Sequence, residues 1–232
     1  MRSVLWLGVV LPIILSGCGK LGGGEERALP RPLLLPPPDD LAVDERGLDA
    51  VPELDAIQVE WIPYDVQDAT ILVWRRAEKR EEFEQFARIS AKDTLFLDED
   101  VEIGTRYWYF LTANAAGWRD SSPSDTFSYR LLEKPFALVE TGGKLPAFRW
   151  QVSQTPVGYV LKLFEVDTDK KVWFASVWPD YGTLAEQVVF NFDGTAVVDS
   201  LETGKGYRWR VDVVGPEKNS GAESNWRVFR VQ

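Results

Sequence analysis

The chain carries one thiol, Cys18, and no imidazole, because histidine is absent from all 232 residues. Without histidine there is no Ser-His-Asp or Cys-His relay and no imidazole metal ligand. A single cysteine closes no internal disulfide and builds no thiolate zinc site. Carboxylates, lysine, tyrosine, serine and threonine remain. Asp98-Glu99-Asp100 is an acidic run that could join a calcium site. Calcium takes about six to eight oxygens drawn from several loops, so the run reads instead as a solvated turn. Asp167, Asp169 and Asp180 could pair as acid and base of a glycosidase, which needs two carboxyl groups about 5–10 Å apart across a cleft. Neither a glycine-rich phosphate loop nor a serine elbow occurs. The expectation is a non-enzyme with no catalytic residue, no metal and no cofactor; a hydrolase working with carboxylates alone is the remaining catalytic alternative.

The surroundings of Cys18 are specific. Arg2 precedes an apolar run from Val4 to Leu15, and Leu15-Ser16-Gly17-Cys18 follows at once. A basic head with an apolar stretch of about 7–15 residues marks an exported chain, and the stretch is short of the roughly 20 residues that span a bilayer. Leu15-Ser16-Gly17-Cys18 resembles the lipobox of bacterial lipoprotein precursors. That resemblance implies a signal peptide over residues 1–17, cleavage before Cys18 and a diacylglyceryl group on its sulfur. In many bacteria the new amine is acylated as well. Two or three acyl chains, at ~0.8 kcal/mol per buried methylene, anchor a protein stably. The implied location is the cell envelope, with a membrane partner through the lipid. Gly19 is not the aspartate that holds many Gram-negative lipoproteins at the inner membrane, so the outer membrane is favoured. Residues 18–40, with Gly22-Gly23-Gly24 and then Pro30, Pro32 and Pro36 to Pro38, read as a lipidated tether, flexible first and extended after. Its reach would be roughly 50–70 Å.

Beyond residue 40 the pattern changes to period two, which a strand with one buried face requires. Ile57, Val59 and Trp61 form one such row, Ile71 and Val73 another, and Tyr107, Tyr109, Leu111 and Ala113 a third. Turn residues separate these rows every eight to twelve positions or so, the spacing of an all-β sandwich or barrel. The second half repeats the first. Phe148 and Trp150 match Val59 and Trp61; Tyr159, Leu161 and Leu163 match the row of Ile71; Tyr207, Trp209, Val211 and Val213 match the row of Tyr107. Val101, Gly104 and Tyr107 recur at identical spacing as Leu201, Gly204 and Tyr207. In each set the glycine permits a turn, the apolar residue plugs the sandwich end and the tyrosine hydroxyl bonds back to the backbone, which is a tyrosine corner. A tryptophan ending the second strand, a tyrosine corner opening the sixth and the bends at Ser121-Ser122-Pro123-Ser124 and Gly221-Ala222-Glu223-Ser224 together resemble fibronectin type III domains. The resemblance implies two tandem immunoglobulin-like β-sandwiches, over residues 41–132 and, with a more irregular stretch from Lys170 to Val198, over 133–232.

If Tyr107, Tyr109 and Leu111 point inward, Trp108 and Phe110 point outward, joined by Trp74 on the neighbouring strand. These three form a candidate binding face, since exposed apolar patches mark contact surfaces. The matching positions of the second half are Lys162, Phe164, Arg208 and Arg210, a basic counterpart. Trp173 and Trp178 are a second aromatic candidate. The net charge of −10 excludes nucleic acid as a partner. The reading is a membrane-anchored, extracytoplasmic binding or adhesion module for an envelope protein or glycan. A structural accessory subunit of an envelope complex is the alternative, and the sequence does not set the oligomeric state.

Overall fold

The computed structural model describes residues 27–179 and 185–232, so Leu15, Ser16, Gly17 and Cys18 lie outside the described residues. Every regular element among the described residues is a strand. The first seven are β1 (Leu48–Val51), β2 (Leu54–Glu60), β3 (Thr70–Ala77), β4 (Glu84–Ser90), β5 (Leu95–Asp98), β6 (Arg106–Asn114) and β7 (Phe127–Leu131). They pair as β1-β2-β5 and β4-β3-β6-β7. Eight follow: β8 (Phe136–Glu140), β9 (Ala147–Gln151), β10 (Gly158–Glu165), β11 (Lys171–Val177), β12 (Ala185–Val189), β13 (Gly206–Val214), β14 (Ser220–Glu223) and β15 (Arg227–Arg230). Here β12-β9-β8 opposes β11-β10-β13, and both β14 and β15 lie along β13. Each half is thus a smaller sheet packed on a larger one in the strand order of a fibronectin type III sandwich, and the chain is all-β.

The period-two rows supply the cores. Ile57, Val59 and Trp61 meet Ile71, Val73, Tyr109 and Leu111 in the first; Phe148 and Trp150 meet Leu161, Leu163, Trp209 and Val211 in the second. Each large apolar side chain removed from water contributes about 1.5–3 kcal/mol. The hundred-residue repeat holds bond for bond. The Tyr107 hydroxyl accepts from the Glu102 N–H at 3.0 Å and the Tyr207 hydroxyl from the Glu202 N–H at 3.1 Å. Gly104 and Gly204 take φ of 82° and 84°, the left-handed region open to glycine, and their N–H groups close onto Leu131 and Val231 at 2.8 Å. The Ser124 and Ser224 hydroxyls each accept from the facing strand, from Leu111 N–H at 2.8 Å and Val211 N–H at 2.9 Å.

The proline-rich stretch departs from the expected tether. Leu29 and Leu34 are buried in the first core. Leu29 N–H bonds to Arg119 O, Leu35 N–H to Glu60 O, and Ile62 N–H to Leu33 O, all between 2.9 and 3.0 Å. Proline lacks a donor and suits a sheet edge, while the leucines between the prolines gain by burial. The segment therefore lies along the sandwich, beginning with the bond that Arg27 O accepts from Arg119 N–H at 3.2 Å.

The halves are also joined. β14 pairs in parallel with β7, Ser220 opposite Arg130 and Gly221 opposite Leu131, which merges the two larger sheets into one of nine strands. A Cβ on Gly221 would sit 2.5 Å from the Val213 carbonyl oxygen of β13 and 3.1 Å from the Tyr129 hydroxyl of β7, so only glycine lets β14 lie this close to β13. Lys134, in the linker, donates to the carbonyls of Val51, Pro52 and Leu54 at 2.6–2.8 Å. Arg106 reaches the second sandwich at Glu217 and at the Lys218 carbonyl.

Candidate functional site

The outward face of the first sandwich is positioned by an inward clamp. Asp98, at the end of β5, is 0% exposed. Both its oxygens accept from Arg75 Nη1 at 3.0 and 3.1 Å, and it also accepts the Tyr109 hydroxyl at 2.7 Å and the Asp100 N–H at 3.1 Å. Arg75 lies on β3 and Tyr109 on β6, in register with one another. The Arg75 guanidinium also rests on the Phe86 ring, 3.5 Å from its centroid. Burial works against the charge on Arg75, but Asp98 outweighs it and raises its pKa; burial and Asp98 together push the Tyr109 hydroxyl up. The expected solvated turn at Asp98-Glu99-Asp100 is thus corrected at its first residue: Asp98 is the centre of a buried network.

Alternation then turns the neighbours of the clamp outward. Trp74 and Arg76 on β3 face Phe110 and Trp108 on β6 in register. Trp74 and Phe110 stack, with centroids 5.6 Å apart and planes 7° apart, and Phe83 meets Phe110 edge-on at 4.8 Å. The Arg76 guanidinium lies 4.1 Å from the centroid of Trp108 and 5.5 Å from that of Phe83. Trp74 Nε1 donates to Thr112 Oγ1 at 2.9 Å. The structure therefore brings Trp74, Trp108 and Phe110 to one half-buried outward face and adds two residues to it. Arg76 shares the parity of Trp74 and was legible on that ground. Phe83 comes from the turn before β4, where no periodicity could place it. Side chains that hold one another in this way present a rigid aromatic and cationic surface and lose little rotamer freedom on binding.

The basic counterpart in the second sandwich is not a free surface. Lys162 and Arg210 are each only 2% exposed. Glu45, from the segment before β1, accepts from both. Arg210 also bonds Glu223 at 2.7 Å and pairs with Asp212 at 2.8 Å, and Lys162 pairs with Asp212 at 2.9 Å. Burial opposes both cations, but Asp212 and the other acids raise their pKa values. Trp226 covers Arg208 and Arg210, 4.4 and 4.8 Å from its ring centroid. Glu45, Asp212 and Glu223 hold oxygens within 4.8 Å of one another, the geometry of a metal cage. A guanidinium nitrogen, Arg210 Nη2, bonds all three, so the cage already encloses a cation. Of the remaining candidates, Trp173 is fully buried and bonds Asp193, whereas Trp178 is 75% exposed. Asp169 pairs with Arg208 at the surface, and Asp180 lies outside the described residues.

No protein-family model matches the chain, and no curated protein is similar to it in sequence. Among solved structures it is similar to the FN1-FN3 domains of chicken CNTN1, at 13% identity and TM-score 0.34, over 87% of this chain and 66% of that one. It is likewise similar to a two fibronectin type III domain segment of chicken tenascin, at 13% identity and TM-score 0.34, over 86% of this chain and 98% of that one.

Proposed function

We propose that the protein is a non-enzymatic binding module, held in the cell envelope by lipid on Cys18, that presents the aromatic face of its first sandwich to an envelope protein or glycan. The observation that carries this is the preorganised outward cluster of Trp74, Phe110 and Phe83 beside the Arg76–Trp108 pair. Aromatic and arginine side chains dominate the energetics of recognition surfaces. The leader and the lipobox-like Leu15-Ser16-Gly17-Cys18 support the envelope location, with the outer membrane favoured in a Gram-negative cell. With Arg27 and Leu29 both bonded to Arg119 on the sandwich, the chain from Cys18 to Arg27 can span at most about 30–32 Å. The face therefore works close to the membrane that anchors it.

The test uses a soluble form beginning at Gly19 and its Trp74→Ser, Trp108→Ser, Phe110→Ser variant, each sedimented with isolated envelopes. The parent form is retained saturably, and the variant loses at least about tenfold in affinity with unchanged circular dichroism. Equal retention of the two would remove the aromatic face from the reading. Retention that survives protease treatment of the envelopes assigns a glycan, and retention abolished by it assigns a protein.

A further inference from the structure

Where the two sandwiches meet, carboxyl groups outnumber the cations that face them. Asp49 on β1, Glu45 just before it, Asp212 on β13 and Glu223 on β14 line a cavity of ≈ 360 Å³ together with Tyr129 of β7 and Lys162 of β10, with Asp39 and Asp40 at one edge and the exposed Glu217 and Lys218 at the turn before β14. Lys162 and Arg210 are engaged by Glu45, Asp212 and Glu223. Asp49 has no cationic partner among the described residues: it accepts the Ala50 N–H at 2.8 Å and the Tyr129 hydroxyl. Across the sheet, β2 places the uncharged Gln58 opposite Asp49, and the nearby Lys134 is turned to the Val51, Pro52 and Leu54 carbonyls. Strand pairing across the junction is short, only Ser220 with Arg130 and Gly221 with Leu131. Beside it, the Glu45 pairs with Lys162 and Arg210 and the Arg106–Glu217 pair also cross the junction, and the excess of carboxyl groups works against these ties.

We propose that the junction is a proton-dependent clasp: with Asp49 and Glu223 protonated the two sandwiches lock into one rigid body, and ionisation of Asp49 separates β14 from β7 so that they articulate. Burial, reinforced by Glu45 and Asp212, pushes the Asp49 carboxyl from 3.8 up to about 7, against the opposing pull of the Ala50 N–H and Tyr129 bonds. Burial and then Asp212 raise Glu223 in the same direction, against the attraction of Arg210. Asp40 at the edge is also raised, by burial and by Asp39. Lys162, Arg210 and Tyr129 are all raised and keep their charge states across the range concerned. The raised carboxyl groups bind protons more tightly in the closed form. The clasp is fully engaged below the ordinary carboxylate range and is lost as pH rises through about 7. Between about pH 5 and 7 each carboxyl that must be protonated contributes up to about tenfold per pH unit to the fall in the closed-to-open ratio.

The experiment measures the distance between spin labels on the full chain carrying Cys18→Ser, with Lys92→Cys in the first sandwich and Asp199→Cys in the second, both positions exposed. The expected distribution is narrow at pH 5 and broad at pH 8. In Asp49→Asn the closed form persists to higher pH and the slope falls by about one proton. An unchanged distribution from pH 5 to 8, or a pH response in Asp49→Asn equal to that of the parent, overturns the clasp. Should Asp49→Asn fail to fold, the pH series on the parent chain decides alone.

Discussion

Asp98→Ala is expected to destabilise the first sandwich by about 3–5 kcal/mol, because it leaves Arg75 buried without its counter-charge. Arg75 is 7% exposed, and the substitution removes both of its bonds to the Asp98 carboxylate, leaving the Asp100 carbonyl and outer Glu84 and Asp100 contacts. The Tyr109 hydroxyl loses its acceptor at the same time. Urea denaturation followed by tryptophan fluorescence measures the loss. Asp98→Asn keeps hydrogen-bond acceptance without the charge and is expected to fall between parent and alanine variant. A loss below about 1 kcal/mol for Asp98→Ala would place the Arg75 cation in water rather than in the clamp. The clamp bears on function because Arg75 and Tyr109 alternate along their strands with Trp74, Arg76, Trp108 and Phe110. Loosening the inner row tilts the outer one.

At the junction, Arg210→Met is expected to be comparably severe, about 3–5 kcal/mol at pH 8, since Glu45, Asp212 and Glu223 all lose the guanidinium they bond and Lys162 alone offsets Glu45 and Asp212. The sign of its pH dependence follows from the same groups. Arg210 opposes the upward push on the Glu223 carboxyl, so without the guanidinium that carboxyl is raised further. Removing a cation costs least where the carboxyl groups around it are protonated and most where they are ionised, so the loss grows as pH rises. Thermal melts at pH 5 and pH 8 check this: the gap between parent and Arg210→Met should be wider at pH 8. A gap that widens in acid would mean that the three acids are already separately solvated.

The parts legible in the sequence were those set by local pattern. Period-two rows placed the inward faces of β2, β3, β6, β9, β10 and β13. The pattern also put Trp74, Trp108 and Phe110 on the other side of their strands, because side-chain direction in a strand is fixed by parity alone. Contacts between distant positions were not legible. Glu45 and Arg210 are 165 residues apart, and a charge run or basic row reads as solvated until its partner is known. Asp98 looked like one residue of an exposed acidic turn because its destination, Arg75, lies on another strand. Leu29 and Leu34 sat inside a proline-rich stretch whose composition suggests extension and says nothing of what the extended chain lies against. The irregular segment ahead of β13 hid β11 and β12, where Trp173 is core and not surface.

Photo-crosslinking in the cell that makes the protein tests the binding face most directly. A benzophenone amino acid replaces Gln85, whose backbone is in register with Trp74, or Leu95, which is exposed on β5 in the smaller sheet. A discrete ultraviolet-dependent adduct from position 85, and none from position 95, is the predicted result. Adducts of equal yield from both positions, or from position 95 alone, would contradict the assignment of the aromatic face as the surface of contact.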